Sequence, residues 1–387
     1  MDYIQALKDI ISIDTTVPPG KNYEKIMDYL APLFKGVGCE VQKVAIPKEF
    51  SGGDEGRFNL VANRRSPGKP RLILYTHADV VPVTGWDGFT PKIEGDKLYG
   101  RGASDDKGNI IAMLMALEKV KGKMLNYDIS CIVTVDEEVG HANADEIRFI
   151  RRYLEPVKGA TFLALDGGFG YCIVATLGLL AMEITVHGKS VHQGRAYLGE
   201  NAVENAIKLC QPLVKLGEEV IKRKSRIPAA PEFGVDKMQG NLSVTMIHGG
   251  VKVNIVPDEC VISLARRIIP EENIDKCKEE IMAALRSVPN VRWEEKTILR
   301  SPTFPDTYNE PETDKLATIF KDVTGSTGKY GQMGTLPTDP VAFEWGAKII
   351  SMGVGRVSEN NAHGKNESVR PKDIESMAEI LTRFVTG

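Results

Sequence analysis

The rhythm of apolar and polar positions changes along the chain, and the changes divide it. Residues 2–13 and 23–37 repeat apolar side chains at helical spacing, with a Pro-Pro-Gly turn at 18–20 between them. Segments 40–46, 59–63, 71–76, 130–135, 161–165 and 347–352 read as strands, and 109–121 as a helix among them. Several of these strands are continuous apolar runs without alternation, as in Leu72-Ile73-Leu74-Tyr75. Such runs belong to strands buried on both faces, which predicts an α/β fold with a mostly parallel mixed sheet flanked by helices. Residues 179–299 follow another rule. Strands are predicted at 180–186, 242–247, 259–268 and 291–297, with amphipathic helices at 201–222 and 271–288. This β-α-β-β-α-β order predicts a ferredoxin-like α+β unit with an antiparallel sheet. Segment 180–186, or helix 201–222 beside it, is expected at its outer edge, where unpaired backbone invites a second copy about a two-fold axis.

What the predicted strands run into carries the chemistry. Segment 71–76 empties into Thr76-His77-Ala78-Asp79, where residues two apart point the same way and both can serve a metal. Segment 130–135 stops at Asp136-Glu137-Glu138, and 161–165 at Asp166-Gly167-Gly168. The turn Gly100-Arg101-Gly102-Ala103-Ser104-Asp105-Asp106-Lys107-Gly108 offers a carboxylate just before a helix. The late strand leads into Asn360-Asn361-Ala362-His363-Gly364-Lys365-Asn366-Glu367. In parallel sheets the ligand crevice lies beyond the carboxyl ends of the strands. So many carboxylates converging beside apolar walls repel one another unless a cation compensates them, which is the physical case for a metal site. Asp166 precedes the 179–299 unit and His363 follows it, so that unit reads as an insertion between 1–178 and 300–387.

Composition narrows the rest. A chain of 387 residues exceeds one ordinary core, so two domains are expected. A net charge of -3 argues against nucleic-acid or membrane-surface partners. No long apolar span or signal peptide is visible, and the N-terminus already reads as an amphipathic helix. Cys39, Cys131, Cys172, Cys210, Cys260 and Cys277 are scattered without paired spacing. They read as reduced core residues, and the expected location is cytoplasmic.

With these segments laid out, the sequence resembles the co-catalytic zinc amidohydrolases. That family includes acetylornithine deacetylase, succinyl-diaminopimelate desuccinylase, aminoacylase and glutamate carboxypeptidase, and the resemblance covers essentially the whole chain. Glu-Glu or Asp-Gly-Gly alone is weak; the combination is specific. The resemblance implies that His77 is a metal ligand supported by Asp79, and that Asp105 bridges two ions ahead of a cis Asp105–Asp106 peptide. It implies Glu137 as general base, and Glu138, Asp166 and His363 as further ligands. His77, Asp166 and Asp105 are expected on one ion, and Glu138, His363 and Asp105 on the other. Two zinc ions are implied, with cobalt or manganese as substitutes. In the insertion, Gly188-Lys-Ser-Val-His192 matches the segment whose His helps polarise the scissile carbonyl from the partner subunit of a homodimer. Asn254 and Arg267 match polar substrate contacts, the planar Arg fork suiting a carboxylate. His141, His187 and His248 read as structural. Departures are Ala196 where Pro is common, Ala265 where Asp is common, and a longer Gly334-Thr-Leu-Pro-Thr-Asp339 loop. All bear on the substrate and not on the metals.

The implied activity is hydrolysis of the amide bond of an N-acyl amino acid by an activated water, with Glu137 relaying its proton to the leaving amine. A dipeptidase or carboxypeptidase with the same site is the rival, since a short peptide presents the same bond. A serine hydrolase lacks its Gly-x-Ser-x-Gly elbow. Gly167-Gly168-Phe169-Gly170 lacks the spacing of a phosphate loop. A non-catalytic relative would have lost Glu137 or a ligand, and none is missing.

Overall fold

The computed structural model describes residues 1–51, 53, 55–139, 141–301, 306–326, 328–334 and 344–387, with the backbone alone at 141–144. The chain divides into two compact units. One comprises Met1–Val174, Pro305–Tyr330 and Leu336–Gly387, and the other Ala175–Phe304 with Gly331–Thr335.

The larger unit is built on an eight-stranded sheet. Its order is Glu40–Ala45, Phe58–Arg64, Asp128–Thr134, Arg71–His77, Thr161–Ala164, Lys348–Ser351, Cys172–Thr176 and Lys329–Gln332. The central strands from Asp128–Thr134 to Lys348–Ser351 run parallel, and antiparallel pairs flank them. Every residue of Arg71–His77 is buried, as its unbroken apolar run predicts. Burial of Leu72, Ile73 and Leu74 contributes about 1.5–3 kcal/mol each and fixes where His77 emerges. The helices Tyr3–Ile11, Tyr23–Gly36, Lys107–Lys119 and Pro371–Thr386 flank this sheet. Register explains the convergence of the strand ends. His77 is level with Thr134, and Tyr75 with Ala164. Asp166, two residues past Ala164, is therefore level with His77, and Glu137 lies three past Thr134.

The smaller unit holds a four-stranded antiparallel sheet in the order Asn241–Gly249, Glu259–Ile268, Gly178–His187, Arg292–Ser301. Helices Ala202–Val220 and Ile274–Arg286 complete the β-α-β-β-α-β order. Each begins on an Asn, Asn201 or Asn273, whose side chain accepts from two free backbone N–H groups of the first turn. Leu180, Met182, Ile184 and Val186 alternate inward and meet Leu209, Leu213, Ile281 and Leu285. One expectation fails here. Segment 180–186 is a central strand, hydrogen-bonded on both sides, and not an outer one. Asn241–Gly249 is an edge instead, with Met246 and Ile247 about half exposed. Periodicity reports which face of a strand is buried, and says nothing of which neighbours it pairs with. The 335–339 part of the long loop lies outside the described residues.

Candidate metal centre

His77, the last residue of its strand, is fully buried. Its Nδ1 lies 3.3 Å from Asp79 Oδ1 and its Nε2 3.1 Å from Asp105 Oδ1. Asp79 also accepts from the Glu138 backbone N–H at 3.0 Å, tying two ligand segments together. The second oxygen of Asp105 lies 3.1 Å from His363 Nε2, which is 3.0 Å from Glu138 Oε2. Asp105 thus faces both histidines, one with each oxygen. Two compact donor groups result: His77, Glu137 and Asp166, and Asp105, Glu138 and His363. Within each group the candidate ligand atoms lie within 4.8 Å of one another. The first group differs from the sequence expectation in gathering Glu137, while Asp105 touches it through His77.

The turn that presents Asp105 is held from several sides. The Asp105–Asp106 peptide is cis. Asp106 accepts from the His77 backbone N–H at 3.1 Å and from the Thr76 hydroxyl. Buried Lys107 donates to the carbonyls of Ile10 and Ile13, both at 2.9 Å, joining the turn to the first helix. Ahead of Glu137, Asp136 accepts from the Tyr23 hydroxyl at 2.6 Å and from Arg57 Nε at 2.8 Å. Asp136 and His363 both have positive φ, 59° and 62°. A non-glycine residue there costs on the order of 1 kcal/mol or more, and such strain concentrates at functional sites. Glu367, Arg101, Asp106 and Asp136 had no assigned role in the sequence. The signal lay in their neighbours, since each stands within four residues of a ligand.

The electrostatics of the cluster call for a cation. Burial, then the charge of Asp105, pushes the Asp166 carboxyl up to about 7. Burial, then Asp166, drives Glu137 well above the carboxylate range. Burial alone would raise Asp105 as well, but His363 and His77 hold it well below its usual value. Hydrogen bonds to Asp105 and Glu138 lift His363 to about 10. Without cations the cluster must take up protons to offset its charge. Imidazole nitrogens and carboxylate oxygens suit zinc, and also manganese or cobalt, so the donor set fits a pair of divalent ions.

The smaller unit holds the other three candidates. Val191–His192 pairs with Ile255–Val256, and the Gln193 N–H donates to Asn254 O at 2.9 Å, so His192 and Asn254 are neighbours. His192 is exposed, and its Nδ1 accepts from the Gly194 N–H at 3.1 Å. Arg267 stands on the Glu259–Ile268 strand, and its buried Nη1 has no hydrogen-bond partner among the described residues. Burial lowers its pKa, which marks a cation short of compensation. The side chain of His141 lies outside the described residues. Among the described residues no helix is long and apolar enough to cross a membrane.

The helix-flanked mixed sheet thus carries two His-carboxylate clusters, one at its parallel strand ends and one on the neighbouring turns and loop, as a metal-dependent hydrolase requires. Residues 73–387 match peptidase family M20/M25/M40, and the chain belongs to that family. A probable succinyl-diaminopimelate desuccinylase of Staphylococcus aureus is 28% identical over 344 residues, covering 84% of this chain and 80% of that protein. The aminopeptidase PepT of Bacillus cereus shares the fold with a TM-score of 0.76 at 18% identity, over 99% of this chain and 97% of that one. A dinuclear metal-binding M20 peptidase of Bacillus subtilis shares it with a TM-score of 0.68 at 12% identity, over 99% and 96%.

Proposed function

We propose that this protein is a di-zinc deacylase that hydrolyses the amide bond of an N-acyl amino acid, in the manner of acetylornithine deacetylase or succinyl-diaminopimelate desuccinylase. The observation that carries this reading is Asp105, one oxygen toward His77 and the other toward His363, as a carboxylate shared by two ions requires. The likeness to the staphylococcal desuccinylase, over 84% of this chain and 80% of that protein, supports the substrate class. His77 and Asp166 would hold one ion and Glu138 and His363 the other, with Asp105 facing both. Bound ions supply Lewis acidity toward a water and toward the carbonyl oxygen of the substrate. Asp79 keeps the proton of His77 on Nδ1, leaving Nε2 as a donor to metal. Glu137 takes the proton of the attacking water and passes it to the leaving amine. His192 polarises the scissile carbonyl from the partner subunit of a homodimer. Arg267, with Asn254, binds a substrate carboxylate. The edge strand Asn241–Gly249 replaces 180–186 as the element that pairs the two copies.

One observation favours a peptidase as the second reading: the PepT fold covers the chain almost end to end. A hydrolysis screen separates the two. N-acetyl, N-succinyl and N-carbamoyl amino acids are tested beside dipeptides and tripeptides, each with added zinc, cobalt or manganese. Turnover of an acyl amino acid at least tenfold faster than of any peptide is the expected result. The reverse ranking assigns the protein to the peptidases.

A further inference from the structure

The ligands of the proposed centre are not held equally. His77, Glu137 and Asp166 leave the ends of paired sheet strands. His363 stands in a loop, with its side chain 55% exposed. That loop has three non-glycine residues at positive φ, Asn361, His363 and Asn366. Such backbone does not hold itself, so something outside the loop must fix His363.

Arg101 and Glu367 meet that need. Both side chains are almost completely buried, and Arg101 Nη1 donates to Glu367 Oε2 at 2.7 Å. Through its other nitrogen Arg101 donates to the carbonyls of His363 at 3.2 Å and Gly364 at 3.1 Å. Its guanidinium lies over the Trp86 ring, 5.7 Å from the centroid. Glu367 turns the opposite way. Its carboxylate accepts the backbone N–H groups of Gly102, Ser104 and Asp105, each at 3.0 Å, and the Ser104 hydroxyl at 3.2 Å. Its carbonyl accepts the Gly100 N–H at 2.9 Å. One ion pair therefore locks the turn that presents Asp105 to the loop that presents His363. Those are two of the three donors of the second group; His363 serves it alone, whereas Asp105 also faces His77 of the first.

We propose that the Arg101–Glu367 pair is the positioning device of the second metal site, setting the affinity of the ion held by Asp105, Glu138 and His363. The inference rests on the dinuclear reading above. Neither residue is a metal ligand or a substrate contact; both act by fixing where Asp105 and His363 stand. Loss of the pair frees the His363 loop while His77 and Asp166 stay anchored on their strands, so the two ions should respond differently. A residue that serves only general stability would affect both alike.

Stepwise cobalt(II) titration tests this, read by visible absorption and by competition with a chelating indicator, without reference to turnover. The wild-type chain is expected to take up two ions. Glu367→Gln keeps the size of the side chain but turns an NH2 group toward backbone N–H donors. It should weaken the second ion about 10–100-fold, the usual cost of losing a partner behind a ligand, and the first by a smaller factor, since Asp105 is the one shared ligand it disturbs. Arg101→Lys keeps a cation beside Glu367 but cannot reach both loop carbonyls, and should show the same split should Glu367→Gln fail to fold. Arg71→Gln is the control. It removes a buried ion pair with Asp128, 3.0 Å apart, at the opposite end of the His77 strand, and should leave both affinities unchanged. Unchanged second-ion affinity in the Glu367 and Arg101 variants overturns the inference alone, as does equal weakening in Arg71→Gln. A wild-type chain that binds fewer than two ions overturns the dinuclear reading and this inference with it.

Discussion

The parallel strand ends of the larger unit and the His192, Asn254 and Arg267 set of the smaller one are built to opposite standards. His77, Asp79, Asp105 and Glu138 are linked by direct contacts among themselves, and His77 and Asp79 are fully buried. Behind them stand Asp106, Lys107, Asp136 and Glu367, each hydrogen-bonded to backbone or to another element. Among the described residues, His192 makes one local side-chain hydrogen bond and Arg267 keeps a buried nitrogen without a partner. Charged donors that must accept ions of fixed size are worth over-determining, since a misplaced ligand loses metal. Groups that meet a substrate are left with unused hydrogen-bonding capacity, which a ligand can complete. On the function proposed above, the first region would hold the metals and the second would meet the substrate.

The most severe way to break this comparison is Asp105→Ala. A shared ligand lost should empty both sites, so metal analysis of the purified variant is expected to show occupancy collapsing and activity falling below detection. Two firmly held ions in that protein would sink the bridging role. Glu137→Gln asks for less. It should keep its metals and its substrate affinity while kcat falls by about 10²–10⁴. Metal content and KM measured on one preparation check this, and near-normal turnover would assign the base elsewhere.

Much of the larger unit was legible because its signals are local. A continuous apolar run names a doubly buried strand, and the residue after it is by position at the crevice, as with His77 and Asp166. Glu367 was not legible. Its five donors come from residues some 263 positions away, and no spacing rule spans that distance. The misplaced edge of the smaller unit has a similar origin. Segment 180–186 alternates just as an edge or a centre would, and only the partners Glu259–Ile268 and Arg292–Ser301 decide between them. Arg267 was singled out by motif, whereas its orphaned nitrogen is a fact of burial alone.

His192→Ala sharpens the comparison by asking whether the smaller unit acts in the reaction itself. Removal of one donor to the developing oxyanion should lower kcat about 10²–10³-fold with the metals intact. Mixing then tests where it acts. His192→Ala and Glu137→Gln chains are combined under conditions that exchange subunits. If His192 serves the partner's cleft, a heterodimer has one cleft free of both lesions and activity returns. A mixture that stays inactive puts both residues in one chain and removes the homodimer argument.

Arg267→Ala carries the smallest expected effect and the most specific one. Its buried Nη1, unpaired among the described residues, should find its partner in a substrate carboxylate, a charged hydrogen bond being worth about 1.5–3 kcal/mol. That amounts to about 10–150-fold in kcat/KM, and it should be lost only for substrates that carry the carboxylate. An N-acyl amino acid and its methyl amide make the comparison, both assayed with wild type and variant. The wild type should prefer the acid, and the variant should treat the two nearly alike, because the amide offers no charge for Arg267 to meet. Metal content should not change. A variant that slows on both substrates equally would place Arg267 among residues that shape the sheet. The second region would then lose its claim to choosing the substrate.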